Sequence, residues 1–324
     1  RGLGDVYKRQ TVGLSLAVAR MEGVEGVVVW DLLPQGSSVL AATGDGGALY
    51  RISPRGEVVE EARVVQPELT ALGRDGRGRV LMGAAPDGVL YRLDGGKATL
   101  LADTPETYIW KILPVGREDA LVATGNVGKV YRVGASGDIE EFADPGVLHV
   151  TGLTTLGDGY VATTDSPGRL LRLDARGAVA VLHDAEEPEL RSPVALADGS
   201  VYFLANPGTQ EGKGRIYRWA ASGAVDLVWE TPSGFVYAMV PAPEGALWVA
   251  VGSELGSGTV VRIEPGPPST WMEVVRIDEP QVLAIATEGP EHRWLGTGGL
   301  GRVYRILGDE AARGVATSPV QDAG

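Results

Sequence analysis

The chain has 324 residues, 44% of them hydrophobic, with no cysteine and a formal net charge of −13. Without cysteine there is no disulfide framework, no thiolate metal site and no cysteine nucleophile. The excess of acid over base argues against a nucleic-acid partner, which would demand clustered Lys and Arg; no apolar run approaches the ~20 residues of a membrane-spanning helix.

Residues 1–10, RGLGDVYKRQ, read as the in-frame translation of a transposase-based sequencing adapter, so we expect them to be non-native. The segment Gly13 to Ala19 (GLSLAVA) has strand character but no partner nearby in sequence. From there a short phrase recurs: Leu49-Tyr50-Arg51-Ile52, Leu90-Tyr91-Arg92-Leu93, Val130-Tyr131-Arg132-Val133, Leu170-Leu171-Arg172-Leu173, Ile216-Tyr217-Arg218-Trp219, Val260-Val261-Arg262-Ile263 and Val303-Tyr304-Arg305-Ile306. From arginine to arginine the steps are 41, 40, 40, 46, 44 and 43 residues, a period that marks an array of supersecondary units.

The third unit shows the content of each. Tyr108 to Leu113 predicts a strand, Ala120 to Thr124 a second and fully apolar one, Lys129 to Val133 a third and Asp138 to Phe142 a polar fourth. Hydrophobicity falls from the second strand to the fourth, as it does where inner strands are sandwiched and the outermost meets water. Four antiparallel strands in about 40 residues make a propeller blade. The expected fold is therefore all-β, a seven-bladed β-propeller with four antiparallel strands per blade. Its blades fall at about 21–65, 66–103, 104–145, 146–185, 186–231, 232–279 and 280–310. The last unit lacks a fourth strand of its own, and residues 13–19 are predicted to supply it, because an unpaired edge there would invite aggregation. Residues 311–324 read as the start of a following segment, which makes the chain a piece of a longer, metagenomic reading frame.

The units VLMGAAPDGVLYRLDGG, YIWKILPVGREDALVATGNVGKVYRVGASGDIEEFAD and HVTGLTTLGDGYVATTDSPGRLLRLDARG resemble those of bacterial WD40-like and NHL-like propeller proteins. The resemblance runs from Thr11 nearly to the end and implies the fold, a binding-scaffold role in protein–protein interaction and an exported, periplasmic or extracellular location. The single Trp-Asp pair, Trp30-Asp31, lies in a first strand and not at the end of a third, so signalling-scaffold behaviour does not carry over.

Several motifs have ordinary structural readings. The arginine of each Tyr-Arg phrase is expected to lie over the blade surface and pair with acids such as Asp94 or Asp174. The glycine run Gly296 to Gly301 opens into a strand, so no helix N-terminus meets a dinucleotide phosphate. Asp45, Asp87, Asn126, Asp165 and Asn206 sit where second strands turn into third ones, and such residues tolerate left-handed backbone. His149, His183 and His292 fall in different blades without metal-ligand spacing. No cofactor and no metal are expected.

One constellation stands apart. First strands line the channel of a propeller. Aligning the units places Val28, Glu68, Tyr108, His149, Glu189, Phe235 and Gln281 in one ring, with Trp30, Thr70, Trp110, Thr151, Arg191, Tyr237 and Leu283 two residues further on. Strand alternation would turn both rings to one face. Aromatic residues gathered at a channel mouth anchor ligands. The expected binding residues are Trp30, Tyr108, Trp110, His149, Arg191, Phe235 and Tyr237, for a peptide, a glycan or a neighbouring domain. The alternative is a lyase or hydrolase in which His149 is the general base and Glu68 or Glu189 the acid or a metal ligand.

Overall fold

Residues 16–209, 212–252, 256–266, 269–289 and 292–307 are described by a computed structural model of the protein. By their ladders the strands among them fall into seven antiparallel groups of four, some joined to the next by a single bridge such as Gly44 to Glu68 or Gly125 to His149. The third group illustrates the order: Tyr108–Val115 pairs with Asp119–Gly125, that strand with Val130–Val133, and that with Ile139–Ala143. These bounds lie within two residues of those read from the sequence. The only helical turn among the described residues is Pro243–Gly245.

The segment that closes the ring is Val18–Met21, which pairs antiparallel with Val303–Ile306. The sequence pattern put this strand at residues 13–19. Of these, residues 13–15 lie outside the described set, and the observed strand runs on to Met21, the residue at which the sequence reading began blade one. Met21 is what sets the register: it is buried and packs with Val29, Leu32 and Trp294, whereas Arg20 beside it faces water.

Every joint between neighbouring groups carries its own apolar cluster. Leu40, Leu49 and Met82 with Leu69 and Leu72 join the first to the second, and Ile109 and Val122 with Leu81 and Leu90 the second to the third. Val29, Leu32 and Val39 pack on Ala284, Ala286 and Trp294, so the last group meets the first as closely as any other pair. Each fully buried Leu, Ile or Val contributes roughly 1.5–3 kcal/mol relative to exposure, and a ring built this way loses two joints when one blade is disordered.

The third strands hold the recurrent Tyr-Arg phrase, and their arginines are locally satisfied. Arg51 pairs with Glu61 at 2.7 Å, Arg92 with Asp94 at 2.8 Å, Arg132 with Asp119 at 2.6 Å and Arg218 with Asp198 at 3.2 Å. Arg172 pairs with Asp158, not with Asp174. Asp174 instead accepts the backbone N–H groups of Arg176 and Ala178, because an aspartate two residues before the turn apex is closer to those donors than to a neighbouring strand. In three groups the tyrosine hydroxyl donates to a buried glutamate that precedes the first strand: Tyr131 to Glu106 at 3.1 Å, Tyr217 to Glu187 at 2.9 Å and Tyr304 to Glu279 at 2.6 Å. Burial, with the adjoining glutamates, pushes these three phenols up to about 12.

Candidate functional site

The first strands are Val28–Gln35, Glu68–Arg74, Tyr108–Val115, His149–Leu156, Glu189–Ala195, Phe235–Pro241 and Val282–Glu288. In all seven the pairing register slips within the first three residues, as between Val29 and Asp31, Ile109 and Lys111, and Val236 and Ala238. Each slip is a β-bulge, in which two residues oppose one and strict alternation breaks. Trp30, Thr70, Trp110, Thr151, Tyr237 and Leu283 are the extra residues. In the fifth strand the slip comes after Arg191 and spans two residues, Ser192 and Pro193, with Ser192 at φ 50°, a backbone cost concentrated at this place in the ring.

Bulging changes which side chains reach the channel. A cavity of about 550 Å³ opens at the centre of the ring, and Trp30, Trp110, His149, Arg191, Phe235 and Tyr237 line it. Tyr108 does not line it; the ring stacks on Trp110 with centroids 5.0 Å apart and meets His149 edge-on. Glu189 lines the cavity and Glu68 does not. In most of these strands the residue after the extra one lines the cavity as well, which places Asp31 and Lys111 in the wall. Two-residue alternation assigns both to the opposite face, so they escaped the sequence reading.

Glycine was a legible signal of this arrangement. Where the extra residue is a large ring, the second strand opposite it ends in glycine: Gly44 by Trp30, Gly125 by Trp110, Gly252 by Tyr237. A Cβ on Gly44 would lie 2.9 Å from Trp30 Nε1, one on Gly252 2.8 Å from Tyr237 Cε2, and one on Gly125 would collide with both Trp110 and His149. Opposite Thr70, Thr151 and Arg191 the same position is Ala85, Asp165 or Asn206. The rings lie against bare backbone because only glycine leaves room.

Side chains of the inner strands also stitch neighbouring blades. Thr70 donates to Ile109 O at 2.6 Å, and Thr151 donates to Leu190 O. Asn206 accepts from Val236 N at 2.9 Å and donates to Val236 O and to Glu189, each at 2.8 Å. Asn206 is thus a buried strand residue and not a turn residue; Asp165 is likewise in a strand, and Ser166 takes the left-handed backbone beside it at φ 52°. Asp45, Asp87 and Asn126 do adopt left-handed φ, at 66°, 84° and 102°. Asp31 Oδ1 accepts from Leu32 N at 2.8 Å and Oδ2 from Leu72 N at 2.9 Å. Burial pushes its carboxyl above the ordinary value, against the lowering effect of Lys111 and of these two N–H groups.

At the rim, Trp110 Nε1 donates to His149 Nδ1 at 3.1 Å. Indole is a donor only, so in this geometry the imidazole proton is assigned to Nε2. Arg191 pairs with Glu189 at 2.9 Å. Among the described residues no group of three or more His, Asp or Glu side chains is gathered in a way that could hold a metal ion.

No protein-family model matches the chain, and no curated protein matches it. Among solved structures it is similar to virginiamycin B lyase from Staphylococcus aureus, with a TM-score of 0.75 and 15% identity over 90% of this chain and 99% of that one. It is similar also to YCF48 bound to D1 peptide, with a TM-score of 0.71 and 16% identity over 93% and 99% of the two chains. The WD40 β-propeller domain of Doa1 gives 0.69 and 14% over 92% and 98%. The fold is a β-propeller. Identities this low show the fold and nothing finer, and these propellers include a lyase as well as a peptide-bound protein.

Proposed function

We propose that this propeller is a non-enzymatic binding module, bacterial and exported, that takes a peptide, a glycan or a neighbouring domain at the mouth of its channel. The observation that carries this reading is the cavity of about 550 Å³ walled by Trp30, Trp110, Phe235 and Tyr237. That size and lining suit a small ligand or the tip of a larger one: aromatic rings supply contact area at low entropic cost, and Arg191 and Glu189 supply orientation. YCF48, a protein of similar fold, has been solved bound to D1 peptide.

The alternative reading, a lyase or hydrolase, draws less support from the arrangement. The lone pair that His149 would use as a base already accepts from Trp110, Glu189 is engaged with Arg191 and Asn206, and Glu68 is absent from the cavity wall.

Peptide and glycan arrays probed with residues 11–324 test the proposal. Phe235→Ala and Tyr237→Ala should each weaken any enriched ligand at least tenfold while the melting temperature stays within a few degrees. Ligands that bind both variants as they bind the parent would overturn it.

A further inference from the structure

Bulging brings a further residue of five first strands to the channel wall: Asp31, Lys111, Gly152, Ala238 and Ala284. At this level the wall holds three small residues, Gly152, Ala238 and Ala284, each resuming pairing just after the bulge, whereas Ala71 is buried between blades. Asp31 and Lys111 hold the equivalent places in the first and third blades and are the charged members of the level. Their situations differ. Asp31 spends both oxygens on backbone N–H groups and so holds the first blade to the second. Lys111 is half-buried, lines the cavity and, among the described residues, makes no hydrogen bond and no close ion pair, although its charge acts on the Asp31 carboxyl. The other cation in the wall, Arg191, is already paired with Glu189.

Resting on the reading of this cavity as a binding site, we propose that it accepts a ligand bearing a single carboxylate next to an apolar or aromatic group, with the Lys111 ammonium as the anchor. A half-buried cation lacking a contact partner carries a desolvation cost that a bound anion offsets. The cavity gives a ligand access to it, and the Trp30 and Trp110 rings one residue earlier in the two strands that carry Asp31 and Lys111 stand ready to cover the apolar part. The net charge of −13 disfavours polyanions, which narrows the fit to one carboxylate. Such a group could come from a peptide C-terminus, an acidic side chain or a uronic acid.

Calorimetric titration with matched pairs separates these sources: N-acetylphenylalanine against its amide, N-acetyl-Phe-Glu-amide against N-acetyl-Phe-Gln-amide, and phenyl glucuronide against phenyl glucoside. At least one acid should bind ten or more times tighter than its neutral partner. Lys111→Met should abolish that preference, and Lys111→Arg should keep it within about threefold, both variants melting near the parent temperature. Equal binding of acid and neutral partner, or a preference that survives Lys111→Met, would overturn the anchor. Neutral probes that still need Phe235 would then leave the binding mouth standing, whereas no saturable binding by any of the six would sink the anchor and count against the mouth as well.

Discussion

The first and third strands of each blade come from the same repeat, yet they behave oppositely. Third strands repeat nearly the same residues, and these find partners within or beside their own blade: arginine on an acid, tyrosine on a buried glutamate. First strands differ from blade to blade at equivalent positions, as with Trp30, Thr70, Trp110 and Thr151, and those residues turn towards a shared space. Recurrence within this chain therefore marks scaffold, and departure from recurrence marks the candidate site. The seven arginines are the more conspicuous feature in sequence, and they are scaffold.

The largest effect should come from cutting a buried clamp of the third strands. Glu187 binds Arg215 at 2.7 Å and Tyr217 at 2.9 Å with little of its side chain exposed. Glu187→Ala should cost about 3 kcal/mol in urea unfolding at neutral pH, the low end for a broken buried pair because Arg215 keeps Glu230 and solvent contact. Burial alone would raise this carboxyl, but the bonds from Arg215 and Tyr217 outweigh it and hold it below its ordinary value of 4.5. The stability it provides is complete above that value and is lost as pH falls through the folded-state pKa beneath it. The gap between parent and variant should accordingly stay flat from neutral pH to about 5 and close in stronger acid; a gap that widened there would contradict the clamp.

A smaller effect is expected where the inner strands depend on bare backbone. Gly125→Ala should destabilise by about 2 kcal/mol through overpacking and displace Trp110 and His149, which tryptophan fluorescence and the His149 NMR signals would report. Gly36→Ala meets no atom within 4 Å and has only its φ of 60° to contend with, so it should cost about 1 kcal/mol. Equal costs would mean the aromatic rings do not rest on Gly125.

The smallest effect belongs to the exposed half of the third-strand pairs. Arg132→Ala, which removes the pair with Asp119, should change stability by less than about 1 kcal/mol and leave probe binding at the cavity untouched. A tenfold loss of binding in that variant would erase the distinction between scaffold and site.

The sequence alone was enough for the repeat period, the four strands of each blade and the ring from Trp30 to Leu283, because the period is a local consequence of backbone geometry; of the ring from Val28 to Gln281 only His149, Glu189 and Phe235 line the cavity. The alignment of the units also led to Trp30, Trp110, His149, Arg191, Phe235 and Tyr237, which line the cavity. The places of Tyr108, Asp31 and Lys111 were beyond the sequence. A bulge costs no special residue, so nothing in Val28 to Gln35 announces that Trp30 is an extra residue; only the pairing partner shows the slip. The tertiary structure likewise decided that Asn206 bonds the next blade, that Asp158 and not Asp174 meets Arg172, and that Lys111 lines the cavity. Each of these depends on which strand or turn lies alongside, which for Arg172 and Asn206 means a partner 14 and 30 residues away along the chain and one hydrogen bond through space.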